Sequence, residues 1–180
     1  DIIRRMADNR LLWDKTGSGF YKKIIEDDGA RRILVLDTET MTYRAMEQVR
    51  FDSLTESKRF PNTCSRIITL YYASDLAGIF TFRTRSDEFV YAANRIPEIA
   101  GNILTIDNAL KWGFNREMGP FEMWDAVGLA RSAALMEAHG YKIPSWVRRM
   151  LEKGFKTFYT ADNGKRYHYN PAMGEYREDS

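Results

Sequence analysis

Apolar positions in this 180-residue chain follow two rhythms. From Ser53 to Gly154 they recur every three or four residues, the spacing that lines one face of a helix. A first helical stretch, Ser53 to Ser74, carries the cluster Ile67, Ile68, Leu70, Tyr71 and Tyr72. Asp75 is placed as N-cap of a long helix over Leu76 to Ile96, with Ile79, Phe82, Phe89, Ala93 and Ile96 on one face. Pro97 breaks that helix, and Asn102 caps Ile103 to Trp112, with Gly113 as the stop. Gly119-Pro120 opens the next helix, because proline at the first helical position loses no hydrogen bond. Glu122 sits in its first turn, where the helix dipole favours an acid. Phe121, Trp124 and Val127 share a face, and Gly128 ends the run. Leu129 to His139, stopped by Gly140, is another helix. The last opens at Pro144 or Ser145 and ends at Gly154.

The second rhythm is that of strands. Phe20–Ile25 and Ile33–Asp37 flank Asp28-Gly29, and Lys156–Thr160 and Lys165–Tyr169 flank Asn163-Gly164. Asp-Gly and Asn-Gly suit the positive φ angles of tight hairpin turns. The two hairpins sit in matching contexts. Arg4-Arg5-Met6, Phe20-Tyr21, Asp28-Gly29, Arg31-Arg32 and Met41–Arg44 recur in order as Arg148-Arg149-Met150, Phe158-Tyr159, Asn163-Gly164, Lys165-Arg166 and Met173–Arg177. An ordered series of this kind indicates a duplicated domain. The expected fold is therefore mainly α, a helical bundle with two small β-hairpins. Residues 1–45 are expected to be the tail and hairpin of a first copy, 46–75 a linking helical segment, and 76–180 the second copy with its closing hairpin. The chain opens as DIIRRMADN, without Met and already in a helical pattern, so it is expected to be a piece of a longer protein.

Composition narrows the function classes. Twenty-seven basic against 25 acidic side chains leave a net charge of +2, without the basic excess of a general nucleic-acid binder. Cys64 is the single cysteine, which removes a disulfide framework and points to a reducing cytoplasm. The apolar runs fall short of the ~20 residues a membrane helix needs.

The stretch RRILVLDTETMTYR, Arg31 to Arg44, raises a specific chemistry. Its Asp37 and Glu39 resemble the first motif of the DEDD 3′–5′ exonucleases, in which such a pair holds divalent metal ions. Against this, the second copy has Asn170-Pro171-Ala172 in that region. Phe51-Asp52 and Tyr71 with Asp75 crowd the later motifs into too little chain, so the pair reads as a hairpin end. Asp107, Glu117, Glu122 and Asp125 read as helix caps and first-turn charges rather than catalytic carboxylates. His139 at a helix end and His168 on an exposed strand position lack partners at metal-ligand spacing. The Tyr-rich second hairpin with Lys165, Arg166 and Arg177 reads as sheet packing rather than an RNA surface.

DNALKWGFNREMGPFEMWDAVG, Asp107 to Gly128, resembles the helical C-terminal domain of 3-hydroxyacyl-CoA dehydrogenases. WDKTGSGFYKK, Trp13 to Lys23, is similar to that family's closing stretch, with a degenerate second version at Phe155–Tyr159. The order resembles the prokaryotic multifunctional enzymes of fatty-acid β-oxidation. There a nucleotide-binding domain precedes two helical dehydrogenase domains and an enoyl-CoA hydratase domain. The resemblance implies a longer NAD-dependent enzyme acting on acyl-CoA substrates, with this chain as a packing region that forms a pseudo-dimer with the first helical domain. A fragment of this kind can also self-associate. The family's Rossmann glycine loop and His–Glu pair are missing from the chain, since Gly17-Ser18-Gly19 lacks the third glycine. Asn94-Arg95 lies too close to Asp107 to match the family's active-site Asn-Arg. No catalytic, cofactor-binding or metal residue is therefore expected here, and Asp107, Trp112, Gly119, Pro120, Phe121, Trp124 and Asp125 are the expected packing or interface positions. The other reading is a free-standing protein-interaction module descended from the dehydrogenase.

Overall fold

Asp1 accepts a hydrogen bond from the Ile3 N–H and so starts helix α1 (Ile2–Asp8), the first element of a computed structural model that describes residues 1–12 and 17–179. The chain divides into two units between Val49 and Arg50. In the first unit, α1 precedes an antiparallel meander of β1 (Tyr21–Ile25), β2 (Arg31–Leu36) and β3 (Tyr43–Ala45), with Tyr21 opposite Val35 and Leu36 opposite Tyr43. Among its described residues, Met6 and Leu36 are the buried apolar side chains. Arg5 donates to the Thr38 and Glu39 carbonyls at 3.0 and 2.8 Å.

The second unit holds α2 (Asp52–Ser57), α3 (Thr63–Tyr71), α4 (Leu76–Asn94), α5 (Ile103–Phe114), α6 (Pro120–Val127), α7 (Leu129–Ala138) and α8 (Ser145–Glu152). A second meander follows: β4 (Tyr159–Asp162), β5 (Lys165–Asn170) and β6 (Glu175–Glu178), ordered β4-β5-β6. The fold is mainly α, as the apolar spacing predicts. Each expected hairpin carries a third strand, so both sheets are three-stranded.

The internal repeat extends to single hydrogen bonds. The Leu36 N–H donates to Phe20 O, and the Tyr169 N–H to Phe158 O. Asp37 Oδ1 accepts from the N–H groups of Glu39 and Thr40, and Asn170 Oδ1 from those of Ala172 and Met173. Met41 and Gly174 both have positive φ, at 59° and 72°, and both donate back to the residue that opens the turn.

Other sequence expectations need correction. The stretch Ser53 to Ser74 is two helices, because Pro61 disfavours helical backbone at Phe60, and Asn62 caps a new start by accepting from the Ser65 N–H at 2.7 Å. Helix α5 runs through Gly113 to Phe114 and ends at Asn115, which takes the left-handed conformation at φ 51°. Helix α4 ends at Asn94, two residues before the expected Ile96.

Within residues 46–75, α2 and α3 pack on the helices that follow. Asp75 caps α4 through the Gly78 N–H and also accepts from the Ser53 N–H and hydroxyl, which joins α2 to the start of α4. Tyr71 is buried, its ring 5.2 Å from Phe82 and its hydroxyl 2.9 Å from Ser86 Oγ. A Cβ at Gly78 would lie 2.2 Å from the Ala73 carbonyl oxygen, so the corner between α3 and α4 closes only over glycine. The core centres on α4, α6 and the start of β4. Trp124 stacks on Phe89 at 5.2 Å, Phe158 meets Phe121 edge-on at 5.0 Å, and the Trp146 indole N–H donates to Ala93 O.

Candidate functional site

Gly119 is the N-cap of α6 and has no side chain to satisfy the helix's first N–H groups. Asp107, on α5, does this from outside. Its Oδ1 accepts from the Phe121 N–H at 2.9 Å and its Oδ2 from the Glu122 N–H at 3.0 Å. These are the second and third residues of the helix, the donors an N-cap side chain normally takes. Pro120 has no N–H to lose. Glu122 reaches back to accept from the Gly119 N–H at 2.9 Å. The same fit explains the glycine: a Cβ at Gly119 would lie 2.3–2.4 Å from the Asp107 carboxyl and Cβ atoms.

The closing sheet is fastened to this junction. The Tyr159 hydroxyl donates to Asp107 Oδ2 at 2.8 Å, and Asp125 accepts from the Phe158 and Tyr159 N–H groups at 2.7 and 2.9 Å. Arg166 lies over the Tyr159 ring at 4.2 Å and pairs with Glu122 at 2.6 Å, while Lys111 approaches the same glutamate at 2.8 Å. Two aspartates thus join α5, α6 and β4. Asp107 has no solvent exposure and holds three donors, leaving no approach for a substrate. The arrangement clamps two helices and the closing sheet together.

Electrostatics agree with geometry on the strain in this junction. Burial, the largest cause, pushes Asp107 up to about 6 and Asp125 to about 7, against the donors that each accepts from. The charge of Asp107 also raises Asp125. Glu122 is held below the usual carboxylate range: burial acts upward, and Lys111, the Gly119 N–H and Arg166 outweigh it. A carboxyl raised on folding binds its proton more tightly in the folded than in the unfolded chain. Its contribution is fully present below the unfolded value near 3.8 and is lost as pH rises through 6 to 7. The thermal midpoint is therefore expected to fall between pH 5 and 8, and the fall to be shallower in Asp125→Asn. A midpoint that rises over this interval in the unsubstituted chain refutes the assignment.

Six of the seven expected packing positions meet here: Asp107, Gly119, Pro120, Phe121 and Asp125 at the junction, and Trp124 in the core beside it. The Trp124 indole N–H donates to Ser132 Oγ at 2.9 Å. Trp112 does not join them, being 80 % exposed near the end of α5. Of the acids read as caps and first-turn charges, Asp107 caps α6 rather than its own helix, and Asp125 secures β4. Sequence reasoning missed Tyr159, Lys111 and Arg166. The repeated Phe-Tyr pair is the one signal at Tyr159, yet its counterpart Tyr21 is 52 % exposed.

The Asp37–Glu39 pair is a turn. The Asp37 carboxylate is held below its ordinary range first by the Thr40 and then by the Glu39 N–H, and Asn170 performs the same task in the second sheet. Among the described residues no group of three or more His, Cys, Asp and Glu side chains is placed to hold a metal ion. His168 is buried rather than exposed, with Nδ1 2.8 Å from Asp179. Lys165, Arg166 and Arg177 are each paired with carboxylates. Gly17-Ser18-Gly19 leads into strand β1 and not into a helix, so it does not fit a dinucleotide's phosphates. The similar stretch Trp13 to Lys23 begins at residues 13–16, outside the described residues.

Comparison with known proteins gives a consistent result. The 3-hydroxyacyl-CoA dehydrogenase C-terminal domain profile matches residues 80–169. A Bacillus subtilis protein named "Probable 3-hydroxyacyl-CoA dehydrogenase" is 39% identical over 176 residues, 98% of this chain and 21% of that protein. Proteins of Rickettsia felis and Rickettsia prowazekii, provisionally named fatty acid oxidation complex trifunctional enzyme, are 24% and 23% identical over 124 residues, 68% of this chain and 15% of each protein. The chain thus spans about a fifth or less of the length of these relatives. No solved structure matches it.

Proposed function

Because the chain belongs to the 3-hydroxyacyl-CoA dehydrogenase family, we propose that it is the helical packing region of a longer NAD-dependent oxidoreductase of fatty-acid β-oxidation. The buried carboxylate of Asp107 carries this reading. The acid that opens the family-like segment caps a helix and anchors a sheet, with no solvent-exposed face for an acyl-CoA substrate. The NAD-binding Rossmann domain, the first helical domain and an enoyl-CoA hydratase domain then lie elsewhere in the same cytoplasmic protein, and the chemistry with them. Exposed Trp112 supplies an apolar contact for a neighbouring domain in a pseudo-dimer. Without that neighbour, the uncovered ring makes the chain prone to self-association.

Calorimetric titration of the chain with NADH is expected to give no saturable heat. Stoichiometric NADH binding would overturn the assignment of the cofactor to another domain.

A further inference from the structure

A groove of about 750 Å³ runs between α4 and α7, on residues the clamp does not use. Arg131, Leu135 and His139, four residues apart, form one wall; Ile79 and Phe82 form the other, and Tyr71 and Tyr72 stand at one end. A smaller depression bounded by Phe82, Arg83, His139 and Tyr141 continues it. The walls are mainly apolar or aromatic, but each end carries an arginine. Arg131 lies 3.8 Å over the Tyr72 ring, and Arg83 sits with His139 and Tyr141. Eight residues along α7 separate Arg131 from His139, roughly 12 Å at the helical rise.

Two neighbouring acids are engaged elsewhere: Asp75 is taken up by the Ser53 and Gly78 donors, and Glu137 pairs with Arg148 at 2.7 Å. Asp87 stands at the Arg83 end, beside the Tyr141 hydroxyl. Among the described residues, neither Arg83 nor Arg131 has a carboxylate within ion-pair distance, and both are exposed. Concave apolar walls with a few convergent polar groups are the usual makings of a small-molecule site, and guanidinium is the side chain best suited to a carboxylate or phosphate.

We propose that this groove binds an amphipathic organic anion, its apolar body along Ile79, Phe82 and Leu135 and its carboxylate or phosphate-ester head on Arg131 or Arg83. The site is separate from the clamp and from NAD-dependent turnover, so its test leaves the proposed function standing or falling by itself.

The test titrates the 180-residue chain calorimetrically with dodecanoate, dodecyl phosphate, dodecyltrimethylammonium and inorganic phosphate, each below its micellar concentration. One saturable site for dodecanoate or dodecyl phosphate is expected, weakened at least about tenfold in Arg83→Ala/Arg131→Ala, which removes the charge-assisted contact at whichever end the head group sits. The tighter of the two anions identifies the head group. Because both arginines are exposed, the double variant is expected to keep the far-UV circular dichroism of the unsubstituted chain. Equal binding of dodecyltrimethylammonium, phosphate alone binding as tightly, unchanged affinity in the double variant, or no binding at all would each overturn the proposal.

Discussion

Gly119→Ala is expected to destabilise the chain by roughly 3 kcal/mol, at or beyond the upper end of ordinary overpacking costs. The added Cβ would fall 2.3–2.4 Å from three atoms of Asp107, a side chain with no solvent exposure and nowhere to retreat. Moving the carboxylate breaks its bonds to the Phe121 and Glu122 N–H groups and to the Tyr159 hydroxyl together. Asp107→Ala strands the same three donors, at about 1–3 kcal/mol each for groups left buried and unpaired. The two changes share one cause and so are not additive. In an Asp107→Gly background, which removes the Cβ at 2.4 Å as well as the carboxyl, Gly119→Ala is expected to cost less than about 1 kcal/mol, and Gly119→Ser to recover part of the loss by capping α6 from its own position. Gly119 has an extended backbone, at φ −80° and ψ 173°, which an N-cap serine adopts readily. Urea unfolding of the four chains of this cycle measures the coupling. Additive losses would show that Asp107 and Gly119 act independently.

Trp124→Ala is expected to cost about 3–5 kcal/mol, the range for deleting a buried aromatic ring. Trp124 has no exposure, stacks on Phe89 and contacts Phe158 at 5.3 Å, so its loss opens the meeting point of α4, α6 and β4. Trp124→Phe keeps most of the packing and loses the indole donor to Ser132, so a smaller deficit is expected. Ser132 itself stays satisfied through the Gly128 and Leu129 carbonyls. Chemical denaturation separates the two variants. Equal midpoints for both would mean that the hydrogen bond, not the ring, carries the effect.

The parts of this fold legible in the sequence are those fixed within a few residues. Asp75 and Asn102 cap their helices through donors three residues on, and Pro120 marks a helix start by geometry it carries alone. The repeat was legible because its turns are local too: Asp37 and Asn170 each bond N–H groups two and three residues ahead. Strands β3 and β6 were not, since three- and four-residue edge strands have no room for an apolar alternation. The clamp joins Asp107 to a helix 14 residues on and to a tyrosine 52 residues on. That pairing depends on how α5, α6 and the sheet pack, and no local spacing announces it. Asp107 was accordingly legible as a capping acid, but not which helix it caps. Trp112 belongs to the same family-like segment as Trp124, and residue type alone did not separate the exposed ring from the buried one.

The most direct test of the account is acetoacetyl-CoA-dependent oxidation of NADH by the purified chain, with folding verified through the near-ultraviolet circular dichroism of its stacked tryptophan. A folded protein with no turnover above the protein-free rate is expected, because the clamp holds its carboxylates out of reach. Turnover proportional to the concentration of the chain, and retained through gel filtration, would contradict it.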